Sequence, residues 1–290
     1  MATLHTKSAA RLMMAPAVIV LFLWMIVPLA MTLYFSTLNY SLFNPGSTPF
    51  VGFANYTYFL SDPEFFTALA NTLILVLGVL VITVGGGILV ALLLDQAFYG
   101  VNIVRLLVIA PFFVMPTVAA LVWKNMMMNP VYGVIGQFLG ALGLPPIDWL
   151  SEYPLTSIII IVAWQWLPFA TLILLTALQS LSEDQKEAAE MDGAGPFSIF
   201  FYITLPHMSR AITVVILIQT IFLLSIFAEI LVTTSGGPGS QSTNITYLVY
   251  RLAQLNSDIG AASAGGIVAV VLANIVAIFL IRLIGKNLEA

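Results

Sequence analysis

Two groups of residues carry the chemistry that this sequence offers. The first is a burst of charge: Glu183, Asp184, Lys186, Glu187, Glu190 and Asp192 fall within ten residues of a chain that is only 8% charged. An ordinary soluble domain is about a quarter charged. The second group is sparse and lies inside long apolar runs: Gln165 and Trp166, then Gln219, Phe222, Ser225 and Glu229. Polar residues in such runs are costly and by default face a bundle interior or a cavity. At helical spacing Phe222, Ser225, Glu229 and Thr233 share one face. An aromatic ring followed by hydroxyl and carboxylate groups suits the C–H surfaces and hydroxyls of a polyhydroxylated molecule. Gln219 lies one turn earlier on a neighbouring face, and Gln165 and Trp166 are the counterparts on the preceding run, beside Pro168. For Glu229 and Gln219 a structural hydrogen bond competes evenly with ligand contact. Asn274 reads as an interhelical hydrogen bond.

The elements that must position these residues follow from composition. The chain has 290 residues, 60% of them hydrophobic, and no cysteine. A soluble fold cannot hide that much apolar surface. A helical span needs roughly 20 apolar residues, and the short alternating segments of a membrane β-barrel are absent. Six runs have that length: Leu12–Phe35, Leu69–Leu94, Ile103–Trp123, Leu155–Leu178, Ala211–Thr233 and Ala261–Ile284. The first is longer than a signal-peptide core and lacks a small-residue cleavage site, so it reads as a retained span, kinked by Pro16 and Pro28. The expected fold is all-α integral membrane, with six transmembrane helices. Its division is residues 1–68 (tail, first span and an aromatic, interfacial loop) and 69–285 (the remaining five helices). Gly85-Gly86-Gly87 in the second run permits close helix packing. A phosphate loop is not expected there, because no Lys follows.

Lys7, Arg11, Arg105, Lys186, Arg210, Arg282 and Lys286 fall on the side of the termini, against Lys124 and Arg251 on the other. The positive-inside rule places both termini and residues 180–206 in the cytoplasm. Within that segment Ser182 and Gln185 have capping-box spacing. Gly193 can end a helix in the left-handed conformation, and Pro196 can begin another. Two short helices at a membrane surface suit docking. No basic cluster suits nucleic acid. His5 and His207 lie on separate segments and suggest no metal site.

Glu187-Ala188-Ala189, then Gly193, then nine residues, then Ile203-Thr204-Leu205-Pro206 resembles the EAA motif of binding-protein-dependent ABC importer permeases. Phe50–Tyr56, Asp62-Pro63, Asn71-Thr72, Trp123-Lys124, Tyr132-Gly133, Trp149-Leu150 and Thr234–Pro238 are similar to maltose-type carbohydrate permeases. Residues 162–181 and 263–288 most resemble permeases for the polyols sorbitol and mannitol. The resemblance implies a type I ABC importer permease in a bacterial inner membrane, one half of a pore. It implies as partners a second homologous permease subunit, two ATP-binding cassette subunits, an extracytoplasmic sugar-binding protein and membrane lipid. With no Walker-type loop, no cofactor is expected in this chain, and ATP and Mg would be bound by the partner ATPase. The coupling helix would be Glu183–Asp192, with Glu187 paired to an ATPase cation, Ala188 and Ala189 allowing close approach, and Asp192 and Gly193 making the exit turn. Pro206 would separate the loop from the fifth span. The helices flanking this loop would bind sugar, although the polar residues of the maltose permease are not plainly repeated: Ala163, Leu223 and Ile226 are apolar. The competing reading is an ion-coupled secondary transporter with Glu229 as proton carrier. A membrane enzyme lacks any placed His/Asp/Glu or Ser/His set.

Overall fold

The computed structural model describes residues 4–288, with no strand among them. In chain order its helices are α1 (Leu4–Ser36), α2 (Ala54–Ser61), α3 (Pro63–Asp95), α4 (Val101–Ile109), α5 (Pro116–Val122), α6 (Val134–Ala141) and α7 (Trp149–Glu152). They continue as α8 (Pro154–Gln179), α9 (Glu183–Met191), α10 (Pro196–Ile199), α11 (Leu205–Leu223), α12 (Ala228–Thr233), α13 (Ile245–Tyr250) and α14 (Ile259–Leu288). Among the described residues five helical stretches are long and apolar enough to cross a membrane, and a bent pair, taken as one span, makes a sixth. Packing divides the chain into two units, residues 1–62 with 249–271, and residues 63–248 with 272–290. The second unit opens with α3, which begins at Pro63.

In the first unit residues 11–35 of α1 expose apolar side chains all round, as a helix bathed in lipid does. The segment after it folds back on its end: Asn55 Nδ2 donates to the carbonyls of Ser36 and Leu38, both at 2.8 Å. Phe43, Phe50 and Phe53 are exposed, as an interfacial belt requires, but Phe59 is buried against Gly265.

The second unit is built on α3 and α8. Gly78 faces Ile159, Gly86 faces Leu167 and Gly87 faces Ala170, where a Cβ would lie 3.0–3.1 Å from the nearest neighbouring atom. Two of the three consecutive glycines thus let the backbones approach, while Gly85 faces open space. Buried Ala91, Leu94, Ala170, Leu174, Leu178, Met208 and Val215 continue the seam and bring in α11. Arg105 Nη2 donates to the carbonyl of Leu94 at 2.8 Å, closing the C-terminus of α3, where a cation is favoured.

Two predicted spans are not single helices. The run 103–123 breaks at Val114-Met115, and its two arms bend by 105°. Pro116 is the cause: the residue before a proline is pushed out of the α region, and Met115 is extended at φ -59, ψ 138. The run 211–233 breaks between α11 and α12, over Leu224–Phe227. The carbonyls freed there are taken by side chains, Leu224 by Thr246 Oγ1 at 3.0 Å and Ile226 by Asn244 Nδ2 at 2.6 Å. A membrane segment can break only if its backbone groups find such partners. The predicted loop after residue 234 is correspondingly folded inward, with Ser242, Thr243 and Asn244 buried. Asn71 Nδ2 holds it through the carbonyls of Ser240 (3.0 Å) and Thr243 (2.9 Å), and Thr72 Oγ1 accepts from Ile245 N at 3.1 Å. Gly236 sits at φ +81, where a Cβ would lie 2.5 Å from Thr243 Oγ1.

Candidate functional site

The breaks create a cavity of about 360 Å³ between α8, α11, α12 and the bend at Val114. Five of the six span residues singled out in the sequence line it: Gln165, Trp166, Phe222, Ser225 and Glu229. Its wall is aromatic. Trp166 lies 5.3 Å from Phe222 and 5.8 Å from Phe112, centroid to centroid. Gln165 Nε2 donates to the carbonyl of Val114 at 3.0 Å, so this side chain satisfies the bend. Its Oε1 is buried with no protein hydrogen-bond partner among the described residues. Such an orphan acceptor costs about 1–3 kcal/mol. Ser225 Oγ donates to the carbonyl of Phe222 at 2.7 Å and keeps its lone pairs. Glu229, only 2% exposed, stands at the start of α12, where the helix dipole favours a carboxylate. Among the described residues no Lys or Arg lines this cavity.

The continuous stripe expected from helical spacing is corrected by the break at 224–227: Phe222, Ser225 and Glu229 meet because the chain turns, and Thr233 leaves that face. Its Oγ1 donates to the carbonyl of Glu229 at 2.6 Å, and the residue lines a different hollow. Gln219 is also placed elsewhere. Fully buried, it accepts from Thr83 Oγ1 at 2.6 Å and donates from Nε2 to the carbonyl of Trp166 at 3.0 Å. It ties α3, α8 and α11 together and does not line the cavity. Sequence reasoning missed Phe112 and Phe227, which also line it. Pro111 and Pro116 were the available signal, since they bend the third run into the site.

The charged segment forms the two short helices expected. α9 covers Glu183–Met191, and Gly193 at φ +83 ends it. Gly193 N donates to the carbonyl of Glu190 at 2.9 Å and Ala194 N to that of Ala189 at 2.9 Å, the paired closure that a left-handed glycine permits. Pro196 stands in the first turn of α10. The capping box is not formed: Ser182 has the extended backbone of an N-cap but makes no side-chain cap bond, leaving Glu183 and Asp184 to complement the dipole. Glu187 and Ala188 are exposed, and Ala189 is half-buried. Lys186 Nζ lies 3.7 Å from Asp95 Oδ2, a partly exposed pair of little energetic weight. His207 Nε2 lies 3.0 Å from Ser180 Oγ and 3.1 Å from the carbonyl of Ala177, joining the two ends of the segment.

Pro206 does not separate this segment from the next span. α10, a π-turn over Phe200–Thr204 and α11 follow without a gap, so residues 196–223 form one apolar stretch. Leu205 N donates to the carbonyl of Phe200. That five-residue register absorbs the donor that Pro206 lacks. A hollow of about 700 Å³ lies beside this turn, lined by apolar Leu89, Leu92, Phe197, Phe200 and Phe201 with Asp95 and Glu190. It is larger than the aromatic cavity but contains none of the polar span residues.

Comparison with known proteins agrees with this architecture. Residues 83–290 match the family described as binding-protein-dependent transport system inner membrane component. A probable ABC transporter permease of Sinorhizobium fredii is 37% identical over 86% of this chain and 81% of its own. The trehalose/maltose transport system permease protein of Thermococcus litoralis is 34% identical over 90% and 88%. The sulfoquinovosyl glycerol transport system permease protein of Agrobacterium fabrum is 32% identical over 97% and 92%. A bacterial alginate ABC transporter solved with an alginate pentasaccharide-bound periplasmic protein shares the fold, with TM-score 0.79, 24% identity and coverage of 95% and 93%. These relatives are transport components rather than enzymes. With the matched region and these identities over most of its length, the chain belongs to the family of binding-protein-dependent ABC transporter permeases, multi-pass components of the inner membrane.

Proposed function

We propose that this chain forms half of the pathway by which an ATP-driven importer carries a neutral polyhydroxylated solute, a sugar or sugar alcohol, with sorbitol and mannitol as the narrower assignment. The observation that carries the reading is the aromatic cavity. Trp166 and Phe222 offer ring faces to C–H surfaces. Gln165 Oε1, Ser225 Oγ and Glu229 supply acceptors for hydroxyls, and no cation lines the wall. A phosphorylated or acidic solute would meet Glu229 with nothing to compensate its charge. The trehalose/maltose relative favours a neutral carbohydrate-like solute. The small cavity and the 162–181 and 263–288 resemblance favour a polyol.

α9 is the coupling helix in this reading. Glu187 pairs with a cation of an ATP-binding subunit, and Ala188 and Ala189 let the helix lie close. Asp192 and Gly193 form the turn out of it. Exposed Met191 (89%) and Phe197 (82%) give that contact an apolar component, as the core of an interface requires. Pro206 and the π-turn before it join the helix to α11, so a push on α9 reaches the cavity wall at Phe222. The termini and residues 180–206 face the cytoplasm, by the distribution of Lys and Arg. A second permease subunit completes the pore. Two ATP-binding subunits hold ATP and Mg, and an extracytoplasmic binding protein delivers the solute. Reconstituted with those partners, wild-type transporter takes up labelled sorbitol or mannitol, and Trp166→Ala weakens uptake through KM. A wild-type transporter that ignores sugars and sugar alcohols, or a Trp166→Ala variant with wild-type kinetics, contradicts the reading.

A further inference from the structure

The sequence pairs Trp123-Lys124 and Trp149-Leu150 and the stretch Thr234–Pro238 have no role in the cavity or in the 180–206 segment. The fold brings all three together. Lys124, Asn125, Asn129, Asp148, Ser151 and Thr234 line a second cavity of about 450 Å³. It lies near the start of α8, whose 26 residues put it about 39 Å from the 180–206 end at 1.5 Å per residue. Met128, Pro130, Leu150, Thr233, Gly237 and Pro238 complete the wall. A hollow of this volume suits a small molecule rather than a peptide or helix.

Its chemistry differs from that of the aromatic cavity. Lys124 and Asp148 both line it, yet the pair makes no ion pair among the described residues. Each is held by the protein instead. Lys124 Nζ donates to the carbonyls of Val232 (3.0 Å) and Thr233 (2.9 Å), closing the C-terminus of α12. Asp148 Oδ1 accepts from Ser151 N at 3.3 Å as the N-cap of α7. Asn129 Oδ1 accepts from Val131 N at 2.9 Å, which turns its amide donors away from that bond. Donors and an acceptor are thus fixed around one space. A hydroxyl both donates and accepts, so several on one carbon chain match this lining. An anion meets Asp148 and a cation meets Lys124, whereas a neutral hydroxyl can approach either.

α12 stands between the two spaces. Glu229 at its start lines the aromatic cavity, and Thr233, one turn on, lines the polar one. We propose that the polar cavity is an outer binding site for the neutral polyhydroxylated solute, occupied before the aromatic cavity, with α12 as the partition. This rests on the proposed solute class.

The test is equilibrium binding of radiolabelled sorbitol, mannitol and trehalose, each in turn, to the assembled transporter in lipid nanodiscs. Ser151→Trp fills the cavity from an exposed position, and Asn125→Leu strips a polar group from the wall. Trp166→Ala serves as the aromatic-cavity control, and thermal stability and basal ATPase activity report folding. The expected result is that Ser151→Trp and Asn125→Leu each remove one bound solute per transporter and raise uptake KM by about tenfold with kcat unchanged, the mark of binding lost equally from ground and transition states. Wild-type stoichiometry and KM in both variants overturn the site. So does unchanged stoichiometry with lost stimulation by the binding protein, which makes the cavity a docking surface. Loss of solute in Ser151→Trp but not in Trp166→Ala supports the outer site and rejects the aromatic cavity. If none of the three solutes binds wild type, both fall.

Discussion

Gln165, Gln219 and Glu229 look alike in the sequence, each a polar residue in an apolar run. Their partners separate them. Both ends of the Gln219 amide are bonded to protein, to Thr83 and to the carbonyl of Trp166. Thr83 Oγ1 has one hydrogen and also lies 2.8 Å from the carbonyl of Val79, so it keeps a partner when Gln219 is removed. Gln219→Leu is therefore expected to cost only about 0.5–1.5 kcal/mol, read as a lower midpoint in thermal unfolding with uptake KM unchanged. A raised KM at normal stability would put Gln219 on the solute. Glu229 predicts the opposite pattern. Glu229→Gln preserves shape but removes a charged acceptor, and hydrogen bonds to charged groups contribute about 1.5–3 kcal/mol. Uptake KM is expected to rise roughly 10- to 100-fold at unchanged membrane levels. No charge pattern distinguishes these residues, because the discriminating contacts come from helices more than 50 positions away in the chain.

At the scale of elements, helical spacing grouped Phe222, Ser225 and Glu229, three residues that line the cavity, by an incomplete route. Period alone put Phe222, Ser225, Glu229 and Thr233 on one continuous face, whereas the chain breaks after Leu223 and resumes at Ala228. Nothing in Leu224–Phe227 signals a break: no Gly or Pro occurs there. The break is stabilised by Asn244 and Thr246, about 20 residues on, and that tertiary capture was illegible locally. The break at Met115, by contrast, was written in Pro116. Asn244→Ala is expected to leave the carbonyl of Ile226 without a donor. The cost is about 1–3 kcal/mol, and transport falls more than Thr246→Val makes it fall. Equal uptake by wild type and Asn244→Ala would show that the bend holds itself. α9 was legible almost to the residue, because its acids, Gly193 and Pro196 are all local signals. Glu187→Lys is expected to preserve the fold and ATP hydrolysis but abolish uptake, in line with reversal of a charge at an interface. Normal uptake at normal abundance would remove α9 from the coupling path.

For the whole molecule, composition indicated six apolar segments, and the described residues show five long helices and one bent pair. Packing follows from small residues on α3 and α8. The functional geometry sits where regular helix fails, at the bend before Pro116 and the break before α12. Backbone held open by side chains creates a hollow lined by Trp166, Phe222 and Glu229, and a π-turn links that wall to the charged segment. The central claim is that ATP hydrolysis by partner subunits, transmitted through α9, moves a neutral polyhydroxylated solute through this chain. Uptake of labelled sorbitol, mannitol and maltose into proteoliposomes tests it most directly, with the partner permease, ATP-binding subunits and binding protein present, with and without ATP and an ionophore. The account predicts uptake of at least one of these solutes that requires ATP, survives the ionophore and is not displaced by glycerol 3-phosphate. Uptake that proceeds without ATP and collapses with the ionophore would contradict it and return Glu229 to the role of proton carrier.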